Sequence, residues 1–338
     1  MNLSEGTDFE LLNRWQRGFP LEPRPFERVA EGLGLGASDV LERYRALVAS
    51  DALSRIGVVF RPNTVGASTL AAMRIAPDAL ERVAGQVSAQ PEVNHNYERE
   101  HAFNLWFVAT APDAERLERV LVRIEALSGF DVLRLPLLEE YHIDLGFDLA
   151  DGSVPRPGPG AAPEPVALSS AEQRLVERLA DGIPMVETPY AALGAEADLA
   201  ESEVIEILRG WLERGVARRF GAVLRHRPLG YDANAMVVWD LPDDRVRAAG
   251  TRAAALPQVT LCYRRARRRP AWPFNLYCML HGRARDQVAA EIEQVSRAAG
   301  LSTYPRQVLF SRRCFLQRGA RYGTNGNNAA QETGHGRA

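Results

Sequence analysis

Apolar residues recur at helical spacing in two places far apart in the chain. In "SDVLERYRALVAS" (38–50), Val40, Leu41, Tyr44, Leu47 and Val48 share one face, with Ser38 placed to cap the start. In "ESEVIEILRGWLERG" (201–215), Val204, Ile205, Ile207, Leu208, Trp211 and Leu212 do the same, and Gly215 is a stop signal. Each predicts a helix followed by a short strand pair ending at Gly66 or Gly230, the pattern of a winged helix-turn-helix. Downstream, strands are predicted at 68–75, 92–98, 103–110 and 131–141, with helices at 77–88 and 112–128. The second helix carries Leu117, Val120, Leu121, Ile124 and Leu127 on one face, and Gly129 ends it. The same order returns with strands at 233–240, 258–264, 274–281 and 302–313 and helices at 242–255 and 283–299. That order, βαββαβ, is ferredoxin-like.

The two halves also match in wording. "RIGVVFRPNTVG" (55–66) aligns with "RFGAVLRHRPLG" (219–230), and "FNLW" (103–106) with "FNLY" (274–277). The second half is longer between these anchors, and "RARRRPAWP" (265–273) supplies most of the excess. Repetition at this length indicates two copies of a domain pair rather than a solenoid. The expected class is α+β: two tandem copies of a winged helix-turn-helix plus a ferredoxin-like domain, arranged as a pseudo-dimer. Boundaries fall at 5–66 and 67–150 for the first half and at 169–230 and 231–320 for the second. "DGSVPRPGPGAAPEPVAL" (151–168) reads as a linker, and 321–338, which includes His335, as a disordered tail.

Composition narrows the function only a little. The 338 residues are 46% hydrophobic and 25% charged, with a formal net charge of -2, so no global bias toward nucleic acid or membrane exists. Cys262, Cys278 and Cys314 are widely spaced and form no CxxC pair, which supports neither a disulfide framework nor a zinc ribbon. The N-terminal stretch is acidic and lacks an apolar core of signal-peptide type, and no apolar run reaches membrane-span length. A cytoplasmic protein is expected.

The charges on the two amphipathic helices argue against reading DNA. Arg43 and Arg45 stand against Asp39, Glu42 and Asp51, and Arg209 and Arg214 against Glu201, Glu203, Glu206 and Glu213. A DNA-reading helix needs an excess of Lys or Arg. Basic density lies instead in "CYRRARRRPAWPFNLY" (262–277), where Arg264, Arg265, Arg267, Arg268 and Arg269 are interleaved with Tyr263 and Trp272 between two predicted strands. Arginine grips carboxylates and aromatic rings stack on flat faces, a pairing suited to a planar polycarboxylate. A solvated loop is the competing reading, chiefly for Arg267 to Arg269; Arg264 and Arg265, nearer the strand, are the better candidates.

The equivalent stretch of the first half, "NHNYEREHAFNLWF" (94–107), places His95, Tyr97, Arg99 and His101 on the corresponding hairpin. Tyr97 aligns with Tyr263 and Arg99 with Arg265, whereas His95 aligns with Leu261. This points to one complete site with a specialised partner half. Histidine is the natural proton donor near neutral pH. A lone histidine is more often structural than catalytic, and that reading stands beside the catalytic one for His95 and His101. Too few Cys or His lie at usable spacing for a metal site, and none is expected. Arg61 and Arg225, equivalent positions after each wing strand, are further candidates for gripping carboxylates, and His281 for lining the second half's cleft. His142 and His226 read as structural, and the recurring Asn104 and Asn275 as partners for backbone groups.

At these residues the sequence resembles a known family. "HNYEREHAFNLWF" resembles the signature of the first subunit of siroheme decarboxylase, and "CYRR…WPFNLYCMLHG" and "VLFSRRCFLQRG" (308–319) resemble the second. The chain is similar to a natural fusion of the two subunits, linker excepted. The resemblance implies an architecture of the AsnC and leucine-responsive regulator type, with helix-turn-helix units that no longer serve DNA. It implies loss of two CO2 from the C12 and C18 acetates of siroheme, giving 12,18-didecarboxysiroheme for heme d1 biosynthesis, with no added cofactor. Siroheme would be the substrate and partner, with no nucleic acid or membrane involved, and with room for a homo-oligomer or further decarboxylase subunits. In that setting His95 and His101 would be proton donors, and Tyr97, Arg99, Tyr263, Arg264, Arg265, Trp272, Arg61, Arg225 and His281 would hold substrate. An AsnC-type ligand-sensing regulator and a tetrapyrrole-binding protein without turnover are the alternatives.

Overall fold

A computed structural model describes residues 6–143, 146, 149, 165–225 and 228–323. His226, His335, most of the predicted linker and most of the predicted tail lie outside these residues.

Each half begins with helices: α1 (Thr7–Arg14), α2 (Pro25–Glu31) and α3 (Ala37–Ala49) in the first, and α6 (Ser170–Arg178), α7 (Pro189–Ala197) and α8 (Glu201–Glu213) in the second. Helix α3 starts one residue before the expected cap. Gly36 is its N-cap and its N–H donates to the Asp39 carboxylate, so Ser38 lies inside the helix. The buried stripe of α8 is Val204, Ile205, Leu208 and Trp211. It stops where Gly215 takes φ 70°, a left-handed conformation that costs glycine nothing.

The expected strand pair within each half does not form. Each half contributes one strand, β1 (Leu53–Phe60) and β6 (Ala217–Leu224), and the two pair antiparallel with each other. Neither strand alone can satisfy its backbone donors and acceptors, and the duplicated partner is the nearest complement. One core thus joins both helical units: Tyr44, Trp211, Phe220 and Tyr190 belong to a single buried cluster.

The rest of the first half is β2 (Ala67–Met73), α4 (Leu80–Ser88), β3 (Val93–Arg99), β4 (Leu105–Ala111), α5 (Ala114–Ser128) and β5 (Leu133–Ile143). The second half repeats it as β7 (Ala233–Trp239), α9 (Val246–Ala254), β8 (Leu261–Arg265), β9 (Leu276–Gly282), α10 (Arg285–Ala298) and β10 (Arg306–Gln317). Within each half the strand order is ferredoxin-like, β3-β4-β2-β5 and β10-β7-β9-β8. The last strand of each half then pairs with the second strand of the other, β5 with β8 and β10 with β3, closing an eight-stranded barrel. Closure removes the edges that two separate sheets would expose.

Period-two alternation sorts the side chains. On β4, Leu105 and Phe107 face α4 and α5, whereas Trp106 faces the barrel interior. On β9, Leu276, Cys278 and Leu280 face α9 and α10, whereas Tyr277 and Met279 face inward. The interior cluster draws on both halves, with Leu70, Trp106 and Leu135 against Tyr263, Trp272 and Leu309.

Candidate active site

Strand β3 presents His95, Tyr97 and Arg99 on one face. Asn96 points the other way, donating to the Ala84 carbonyl (3.1 Å) and to Ser88 (3.0 Å). The inward row is ordered. The rings of His95 and Tyr97 lie nearly parallel, 6.2 Å apart, and the Arg99 guanidinium sits 5.7 Å from the Tyr97 ring. Arg99 reaches across the seam to donate to the Leu309 carbonyl (3.1 Å), and the Tyr97 hydroxyl donates to Gln317 (3.4 Å). Strand β8 carries the duplicate row, with Arg265 4.5 Å over Tyr263 and donating to the Leu135 carbonyl (2.7 Å). Leu261 occupies the place of His95 there, opposite Ile143.

His95 and His101 lie on the same β3–β4 hairpin but well apart along it. His95 lies near the start of β3, about 13 Å from Arg99 at strand rise, and His101 lies in the turn beyond. That turn brings the halves together. The His101 ring meets Trp272 edge-on at 5.3 Å, and Phe103, Trp106 and Phe274 surround the same indole at 5.7, 5.1 and 4.9 Å. The indole N–H of Trp272 donates to the Tyr277 hydroxyl (2.6 Å). His101 Nδ1 accepts from the Phe103 N–H (3.0 Å), so the neutral ring carries its proton on Nε2.

Both imidazoles are held neutral. His95 is densely surrounded although part of its surface stays accessible; burial, then the charge of Arg55, pushes it down to about 4. Burial, then Arg74, lowers His101. An unfolded His95 would titrate near 6.5, so the folded chain binds its proton less readily. Stability should be whole above that value and fall as pH drops toward 4, by about 3 kcal/mol for this residue. Urea midpoints at pH 7 and pH 4.5 check this: the difference between them should shrink in His95→Gln.

The other candidates are placed differently. Arg264 points out of the barrel and pairs with Asp243 (2.7 Å). Arg267 pairs with Asp240 (2.9 Å) and Asp243 (2.6 Å), and Arg269 with Asp240 (3.3 Å). Most of the arginine run is therefore neutralised by the chain's own "DLPDD" segment (240–244), and Arg265 alone of the five faces inward beside an aromatic ring. Arg61 binds Glu140 (3.1 Å), which also takes Arg218, and Arg225 binds Asp51 (2.8 Å). His281 is on the inward face of β9, its Nδ1 2.8 Å from the Thr260 hydroxyl. His142 is buried on β5 opposite Cys262. Asn104 and Asn275 bracket the backbone of Ile75 and Leu241, as the repeat suggests. A cavity of about 570 Å³ opens elsewhere, walled by Asn63–Ala67, Pro112–Ala114, Pro165–Leu168 and Tyr322, and holds none of the candidates. Among the described residues no group of three or more His, Cys, Asp or Glu is placed to hold a metal, and no helix is long and apolar enough to cross a membrane.

Two fused halves, each a helical unit followed by a ferredoxin-like unit, define an AsnC-like pseudo-dimer. The family model for the AsnC-like ligand binding domain matches residues 65–142 and 228–316, and that for the siroheme decarboxylase NirDL-like HTH domain matches 8–53 and 172–218. The siroheme decarboxylase NirDL subunit of Paracoccus denitrificans is 44% identical over 317 residues, covering 93% of this chain and 96% of that one. The siroheme decarboxylase NirD subunit of Pseudomonas aeruginosa is 52% identical over 139 residues, 41% of this chain and 93% of its own length. A crystal structure of the siroheme decarboxylase NirDL in complex with an iron-uroporphyrin III analogue superposes with a TM-score of 0.67 at 28% identity, covering 94% of each chain. The chain belongs to the siroheme decarboxylase family, as a fusion of its two kinds of subunit, and is an enzyme of the carboxy-lyase class.

Proposed function

We propose that this chain decarboxylates siroheme, taking CO2 from the C12 and C18 acetates to give 12,18-didecarboxysiroheme in heme d1 biosynthesis. The observation that carries the reading is the inward row of His95, Tyr97 and Arg99, with a second histidine in the turn after that strand, against Trp272. Aromatic faces suit a flat macrocycle, and the arginines suit its carboxylates. A relative of the same architecture was crystallised with an iron-uroporphyrin III analogue, another iron tetrapyrrole.

In each reaction the bond from the acetate methylene to its carboxyl carbon breaks. CO2 leaves, the electron pair delocalises into the macrocycle, and a proton arrives at the same carbon to make a methyl group. His95 and His101 supply that proton. Both are neutral in the free protein, so an anionic substrate must bring the counter-charge that makes their protonation favourable. In deuterium oxide each new methyl should therefore carry one deuterium. NMR of the product places the label: deuterium at C12 and C18 supports the reading, and intact acetates there contradict it.

The DNA-reading alternative finds no support in the helices. Arg43 pairs with Asp8 (2.8 Å), and Arg45, Arg209 and Arg214 donate to the carbonyls of Met185, Leu21 and Gly210. These arginines bind other parts of the same chain.

A further inference from the structure

The two inward rows are near copies. Arg99 lies over Tyr97 and donates to the Leu309 carbonyl, and Arg265 lies over Tyr263 and donates to the Leu135 carbonyl. A flat polyacid that rests on Tyr97 and Arg99 meets the same features at Tyr263 and Arg265. The second row has Leu261 in the place of His95. A ring seated there is held away from His95 and is not turned over by it.

The residue facing each tyrosine across the seam is what differs. Opposite Tyr97 stands Cys314. Opposite Tyr263 stands Glu140. The Glu140 carboxylate is largely buried, and two guanidiniums of the helical layer converge on one of its oxygens. Arg61, just after β1, donates from Nη2 at 3.1 Å and from Nε at 3.3 Å, and Arg218 of β6 binds the same oxygen. Two guanidiniums turned to one point form a cradle for a carboxylate. In the second half the chain's own side chain fills that cradle, and in the first half the equivalent position carries no acid.

We propose that Glu140 bars the polyacid from the second row, so that the pseudo-symmetric cleft takes the ring in the placement that meets His95. Glu140 acts by occupancy. It uses the donors of Arg61 and Arg218 that a carboxylate of the ring would otherwise take. A plain staple between the helical layer and the barrel is the competing role, and it would affect stability without affecting placement. The inference rests on the siroheme reading and adds a specificity-determining residue to it.

Glu140→Ala empties the cradle and is assayed anaerobically with siroheme beside the wild type. The ring then has two placements, one of them idle. Idle binding lowers kcat and KM by the same factor and leaves kcat/KM unchanged, because free enzyme and free substrate still reach the same transition state. A fall of roughly tenfold or more in both is expected, the scale of one charge-assisted hydrogen bond gained by the idle placement. Glu140→Gln, which keeps the volume, should show the same pattern more weakly. Titration of the wild type with an iron uroporphyrin needs no variant: one ring per chain is expected, and two per chain overturns the proposal. Unchanged kcat and KM in Glu140→Ala overturn it as well. So does a fall in kcat/KM, the mark of a staple whose loss disturbs the working row. All three of these results leave the siroheme reading intact. A wild type that neither binds nor converts siroheme removes that reading itself, and the proposal with it.

Discussion

Replacing His95 with Ala is expected to lower kcat on siroheme by about 10²–10⁴, the usual contribution of a positioned proton donor. The ring occupies the inward face of β3 beside Tyr97, and neither neighbour on the adjoining strands, Val108 or Gln317, can supply a proton in its place. KM should change little, since Tyr97 and Arg99 remain. His95→Ala should also lose the acid-dependent part of its instability, because the depressed imidazole is removed. A variant with wild-type kcat would show that the proton comes from elsewhere, and His101→Ala would then be the informative comparison.

The second large effect is structural. Trp272 is 1% exposed and stands at the joint between the halves, with His101, Phe103 and Trp106 on one side and Phe274 and Tyr277 on the other. Trp272→Ala should cost about 3–5 kcal/mol, the range for deleting a fully buried aromatic side chain. It also strips the Tyr277 hydroxyl of its donor. Chemical denaturation read by circular dichroism measures the loss, and Trp272→Phe should recover much of it. A loss below about 1 kcal/mol would mean that the joint is not a single packed unit.

The duplication was legible because the anchors "FNLW" and "FNLY" and the two βαββαβ orders recur within one chain. Helix ends were legible wherever backbone conformation fixed them: Gly129 closes α5 with φ 78°. How the halves join was not. The alternation on β5 and β10 marks an inward face but not the strand it meets, and pairing across the seam, β5 with β8 and β10 with β3, depends on geometry distant in sequence. For the same reason the expected strand pairs became one ribbon shared by β1 and β6.

The candidate site was legible in part. The alignment of Tyr97 with Tyr263 and Arg99 with Arg265 marked two equivalent inward rows, and the structure shows both. The arginine run misled because its counter-ions, Asp240 and Asp243, lie some twenty residues earlier, and nothing local announces the pairing.

The central claim is turnover, and mass analysis of siroheme incubated anaerobically with the purified chain tests it most directly. The account predicts a product lighter by two molecules of CO2, formed by the wild type and much more slowly by His95→Ala. Siroheme recovered with unchanged mass from a tight complex would contradict it and make the chain a tetrapyrrole-binding protein without turnover.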